Sequence, residues 1–145
     1  MFIEKVSELT DEVYEAVCRL VPQLGSHKEV PTRDEVEELI NLDASNLLIA
    51  RYPDKDSPVV GILTIAIYHV PTGIRSIVED VIVDTSMRRK GIARALMLEA
   101  IEVAREAGAN GISLTSNSQR VEANLLYQNI GFSKRETNAY FYKLK

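Results

Sequence analysis

The stretch Val78-Glu79-Asp80-Val81-Ile82-Val83-Asp84-Thr85-Ser86-Met87-Arg88-Arg89-Lys90-Gly91-Ile92-Ala93 passes from β-branched residues through turn formers and three cations into a helical pattern. Strand, short loop and helix start in that order make an anion site. Backbone N–H groups in the first turn of a helix have no intrahelical acceptor and carry the positive end of its dipole. Gly91 and the small Ala93 let a phosphate approach the backbone closely, while Arg88, Arg89, Lys90 and Arg94 add formal positive charge. The plainer alternative is a solvated basic turn before an ordinary helix. Two other phosphate-binding designs do not fit. A Walker loop needs a Gly-Lys-Ser/Thr string that does not occur. A dinucleotide fold needs three spaced glycines and an acidic end to the next strand, whereas this loop has one glycine and the next strand ends Thr115-Ser116.

Working outward, Val59 to Val70 and Ile74 to Val83 are two long apolar strands broken at Pro71-Thr72-Gly73, which predicts an antiparallel hairpin. Upstream, the pattern predicts a strand from Phe2 to Val6, a helix from Asp11 to Val21, a loop from Pro22 to Thr32, a short acidic helix from Asp34 to Asn41, and a strand from Leu47 to Tyr52. Downstream, Gly91 to Ala107 carries a broad apolar arc suited to lying on a sheet. Ile112 to Thr115 is expected as a parallel strand by strand–helix–strand logic. A helix from Val121 to Asn129 and strands at Phe132 to Arg135 and Tyr140 to Leu144 complete the expected order.

At 145 residues and 46% hydrophobic content the chain is expected to form one domain, residues 1 to 145, with a self-sufficient core. The net charge of -4 argues against nucleic-acid binding, but it conceals a split. Residues 1 to 72 carry 6 Lys/Arg against 13 Asp/Glu, and residues 73 to 145 carry 11 against 8. The single cysteine, Cys18, cannot form an internal disulfide, and with two histidines it leaves too few ligands for a structural zinc, so no metal is expected. Neither a basic, apolar leader nor a stretch of about 20 apolar residues is present, so the expectation is a cytoplasmic protein without membrane attachment.

Arg88-Arg89-Lys90-Gly91-Ile92-Ala93 resembles the Arg/Gln-x-x-Gly-x-Gly/Ala motif of the GNAT superfamily of acetyl-CoA-dependent N-acetyltransferases. Val81-Ile82-Val83-Asp84 is similar to that family's cofactor strand, and Glu122 to Phe132 to its C-terminal helix and following strand. The likeness is close over residues 74 to 144 and rests only on element order before them. Ile77 to Val81 and Thr137 to Tyr140 look most like small bacterial members. The resemblance implies an α+β (mixed α/β) fold: a twisted, mostly antiparallel sheet of about seven strands, with a parallel splayed pair and about four flanking helices.

The resemblance also implies the chemistry. Val81, Ile82 and Val83 would pair their backbone with the pantetheine arm of acetyl-CoA, and a backbone N–H there would polarise the thioester carbonyl as an oxyanion hole does. Arg88, Arg89, Lys90, Gly91, Ile92, Ala93 and Arg94 would hold the pyrophosphate. Tyr127 matches the tyrosine that protonates departing CoA, and a phenol with pKa near 10 is in the form to donate. Asn124, three residues earlier on the same helix face, would bond cofactor or else lie exposed.

An alkyl amine is mostly protonated at neutral pH, so attack needs a base. Glu79 is the candidate because it shares strand parity with Val81 and Val83; Asp80 would point away unless a bulge shifts the register. His69 and Cys18 are weaker candidates for base and nucleophile, better read as a solvated strand end and a packing residue. Arg120 could meet a cofactor phosphate, an acidic substrate or solvent. The expected reaction is transfer of acetyl from acetyl-CoA to a primary amine of a small molecule or protein, by direct attack in a ternary complex. A non-catalytic CoA-binding regulatory module is the alternative, and an edge strand near the C-terminus is compatible with a homodimer.

Overall fold

The computed structural model describes residues 1–25 and 27–145, which divide into two compact units, Met1–Thr115 and Ser116–Lys145. In the first, strands β1 (Phe2–Lys5), β2 (Ser45–Arg51), β3 (Val59–Val70), β4 (Gly73–Val83) and β5 (Ile112–Ser113) lie in the order β1-β2-β3-β4-β5. All neighbours are antiparallel except β4 and β5, which are parallel. Three helices belong to this unit: α1 (Asp11–Leu24), α2 (Arg33–Asn41) and α3 (Ile92–Glu106).

Local sequence explains most boundaries. Thr10 caps α1 by accepting from the Val13 N–H at 3.2 Å. Thr32 and Glu35 form a reciprocal capping box on α2, at 3.2 and 3.0 Å. The stop predicted at Pro22 is wrong: α1 runs on to Leu24 with Pro22 inside it. The bond lost with the proline N–H is offset by burial of Leu20 and by packing of Val21 and Leu24 against the core.

Paired residues on antiparallel strands share a sheet face, so the register assigns the two faces. Leu47 and Ile49 of β2, Val59 and Ile62 of β3 and Ile82 of β4 form one buried cluster with Val13, Ala16 and Leu20 of α1. On the opposite face, Leu48, Leu63, Ile65 and Val78 lie with α3, whose Ile92, Leu96, Met97 and Ala100 are all buried. Asn46 and Ser76 are the buried polar residues of that face among the described residues, and the Asn46 amide donates to the Ile65 carbonyl at 3.1 Å.

Five strands are found among the described residues, against about seven expected. Ile112 to Thr115 pairs only over Ile112–Ser113, and the predicted strands Phe132 to Arg135 and Tyr140 to Leu144 join no ladder. The shortening of β5 has a local cause: β4 is bulged three residues beyond its last pairing with β5, and a bulge bends a strand and increases its twist. The second unit contains α4 (Val121–Ile130), ended by Gly131 at φ 125°. Within it the Tyr127 and Phe132 rings meet edge to face, 6.1 Å apart.

Candidate functional site

Two features of β4 make it a candidate binding strand. The first is its free edge. β4 and β5 pair only at Ser76↔Ile112 and Ile77↔Ser113, tied there by the Ser76 hydroxyl donating to the Gly111 carbonyl at 2.8 Å. From Val78 to Val83, β4 keeps β3 on one side and has no strand on the other among the described residues. The Asp84 N–H bonds the Val60 carbonyl at 2.8 Å, so by alternation the Val83 N–H and C=O face that open side.

The second feature is the bulge. Thr64 pairs with Glu79 and Ile62 with Ile82, so Leu63 stands opposite both Asp80 and Val81, with Asp80 at φ 51°. This corrects the parity expected from the sequence. Glu79 lies on the α1 face with Ile82, while Val83, paired with Gly61, lies on the α3 face. Glu79 is exposed.

The loop after β4 is built to present its backbone. Asp84 caps a short 3-10 turn, Thr85–Met87, accepting from the Ser86 N–H at 3.1 Å and the Ser86 hydroxyl at 2.9 Å. Arg89 at φ 63° and Gly91 at φ 78° are both left-handed, and alternation of this kind turns successive N–H groups toward a common anion. Gly91 is the N-cap of α3 and supplies no side-chain cap, so the first-turn N–H groups remain available to a ligand. Arg88, Arg89, Lys90 and Arg94 are all exposed, Ala93 is half-buried, and Ile92 is buried beneath them. The structure thus brings together Val81, Ile82, Val83 and the residues from Arg88 to Arg94 on one strand–loop–helix passage.

Several supports of this passage have no motif in the sequence. Gly61 on β3 lets α3 come close: a Cβ there would sit 3.2 Å from side-chain carbons of both Ile92 and Leu96. The Lys90 ammonium lies 5.5 Å from the centre of the Tyr52 ring. From α1, the Gln23 side-chain oxygen accepts from the Thr85 N–H at 2.9 Å; Arg19 donates to the Val59 carbonyl at 2.5 Å and pairs with Asp84 at 3.6 Å. The bonds from Ser86 above all, with the Arg19 charge and Gln23, hold the Asp84 carboxyl below its ordinary pKa, against the opposing effect of burial.

In the second unit, Tyr127 is buried, and that burial raises its phenol pKa while the Arg120 charge opposes the rise. The Asn124 amide nitrogen donates to the Asn117 carbonyl at 3.1 Å, so part of its hydrogen-bonding capacity serves the start of α4. Ser116 Oγ is buried without a hydrogen-bond partner among the described residues. Among the weaker candidates, His69 is exposed and Cys18 is a free thiol, half-buried on α1.

The sequence model of the acetyltransferase (GNAT) family matches residues 10–132. The chain belongs to this family. It is a GNAT acetyltransferase, with four helices and a five-stranded mixed sheet among the described residues. None of the curated proteins matches it in sequence. Among solved structures, it is similar to an aminoglycoside acetyltransferase, meta-AAC0020, from an uncultured soil metagenomic sample, at 19% identity and TM-score 0.85, covering 99% of this chain and 96% of that one. It is also similar to the aminoglycoside 6'-N-acetyltransferase AAC(6')-IG from Acinetobacter haemolyticus, at 21% identity and TM-score 0.77, covering 99% and 98%. A third similar structure is a transcriptional regulator from Bacillus halodurans, at 23% identity and TM-score 0.80, covering 98% and 100%. At these identities the likenesses speak to the GNAT fold. No helix among the described residues is long and apolar enough to cross a membrane.

Proposed function

We propose that this GNAT protein uses acetyl-CoA as donor and a primary amine of a small molecule or protein as acceptor, by direct attack in a ternary complex. The observation that carries the reading is the free edge of β4 running directly into a left-handed, cationic loop at an uncapped helix start. An extended pantetheine needs backbone partners, and its pyrophosphate needs converging N–H groups and cations. Val83 supplies the first, two residues beyond Val81, while the backbone of Ile82 between them faces β3 by the same alternation; Arg88, Arg89, Lys90, Gly91, Ile92, Ala93 and Arg94 supply the second. Aminoglycoside acetyltransferases among the similar folds favour a small, amine-rich acceptor, and the acidic α1–α2 half suits a cationic one.

In the reaction a C–N bond forms as the thioester C–S bond breaks. Glu79 takes the proton lost by the amine, and the Tyr127 phenol, kept protonated by burial, gives one to the thiolate. Asn124 keeps its side-chain oxygen for cofactor. The test is thiol release from acetyl-CoA over a panel of amines, for wild type, Tyr127→Phe and Glu79→Gln. Turnover with at least one amine, depressed in both variants, is expected. CoA binding with no turnover on any amine overturns the catalytic reading in favour of a binding module, and equal turnover in a variant removes that residue from the chemistry. CoA at 100 times its dissociation constant should add about 2.7 kcal/mol to stability.

A further inference from the structure

Four consecutive N–H groups at the entrance of the cationic loop have acceptors within the protein. Asp84 donates to the Val60 carbonyl at 2.8 Å, Ser86 to the Asp84 carboxylate at 3.1 Å and Met87 to the Asp84 carbonyl at 2.9 Å. The fourth acceptor stands 62 positions away in the chain: the Thr85 N–H donates to the Gln23 side-chain oxygen at 2.9 Å. The N–H groups offered to an anion therefore start no earlier than Arg88. Their aim depends on the turn behind them. Arg89, at φ 63°, holds a conformation that a non-glycine residue keeps only where its surroundings enforce it.

α1 sets Gln23 for this contact. Because the helix continues through Pro22, Gln23 stands one turn beyond Arg19 on the same face. Its amide nitrogen reaches the Arg19 carbonyl at 3.4 Å, which leaves its oxygen for Thr85. The Arg19 side chain, 3.6 Å from the Asp84 carboxylate, offsets a negative charge beside a loop that must receive another. We propose that Gln23 is a positioning residue for acetyl-CoA, acting through Thr85 to fix the turn from which the pyrophosphate-binding N–H groups are aimed. The inference rests on the CoA reading above and adds to it a determinant that lies outside the loop motif, on a helix of the acidic half.

The experiment titrates CoA, and pantetheine, which lacks the pyrophosphate and nucleotide, into wild type, Gln23→Met and Gln23→Asn. Methionine keeps the side-chain length without the acceptor; asparagine keeps the amide but is too short to reach Thr85. Loss of one neutral hydrogen bond should weaken CoA about three- to tenfold in both variants and leave pantetheine affinity unchanged. Hydrogen exchange in the free variants should quicken over residues 84–91 and stay as in wild type over β3 and β4. A wild type that binds CoA, with variants that bind it equally well, overturns this inference alone. Equal loss for both ligands, or exchange raised throughout the sheet, makes Gln23 a support of the whole fold and also overturns it. A wild type that binds no CoA overturns it together with the reading on which it rests.

Discussion

Gly91→Ala isolates the backbone shape of the loop from its charges. Gly91 sits at φ 78°, ψ 15°, and a Cβ built there meets nothing within 4 Å, so the substitution has no steric cost beyond the backbone itself. An L-residue forced into the left-handed region costs about 1–2 kcal/mol. The lower entropy of an unfolded chain with alanine recovers roughly 0.4–1 kcal/mol. The net loss is therefore about 1 kcal/mol, or a fall in Tm of about 2–4 °C for a chain near this size. If the loop instead relaxes in the free protein, the same strain is met on binding and CoA affinity falls about fivefold. Calorimetric unfolding and a CoA titration on one preparation separate the two cases, and Gly91→Asn, which tolerates this region better, should fall less on whichever measure moves. An alanine variant unchanged in both Tm and CoA affinity would refute the left-handed loop as the basis of binding.

Arg89 is a bulky residue at φ 63°, so Arg89→Gly should raise Tm by a few degrees while weakening CoA through loss of one cation. A lower Tm would mean that the interactions of the Arg89 side chain outweigh its strain. Because the folded pKa of Asp84 is depressed, the stability it contributes is present above its unfolded pKa near 3.9 and is lost as pH falls through the lower folded value. Wild type minus Asp84→Asn stability should therefore be constant from about pH 5 to 7 and shrink below pH 4; a difference flat down to pH 2 would show that the carboxylate is not favoured by folding. The raised Tyr127 pKa places phenol deprotonation above about pH 10. Thiol release should show no falling limb from this group below pH 10, and a limb near pH 8–9 that vanishes in Tyr127→Phe would contradict it.

What the sequence made legible was what one segment encodes by itself. The acidic helix after Thr32, the β3–β4 hairpin and the Arg88-to-Ala93 loop are local patterns, and the helices begin where caps or glycine place them. Where the reading failed, the deciding energy came from elsewhere in the chain. Pro22 reads as a stop because its own N–H is missing, yet the burial that carries α1 to Leu24 is supplied by strands distant in sequence. The face of Glu79 depended on one inserted residue at Asp80–Val81, which strand alternation cannot reveal because both registers place apolar residues in the core. Phe132 to Arg135 and Tyr140 to Leu144 have the composition of strands, but a strand also needs a partner edge, and composition does not name one.

The supports that the motif omits make the loop and α1 one mechanical piece. Arg51 holds the start of α1 through two bonds to Glu12, at 2.7 and 3.0 Å. Arg19 and Gln23 fasten its far end to β3 and to the Asp84–Thr85 turn. Gly61 fixes the height of α3 above β3, and Lys90 rests on Tyr52 beside the same loop. The donor loop is thus braced by residues of the acidic half, the part of the chain proposed to meet the acceptor. Any acceptor that draws α1 toward it would pull on Thr85 and Asp84 before reaching Arg88, so acceptor and donor affinities should be coupled, and by linkage each ligand would alter the other's affinity by the same factor.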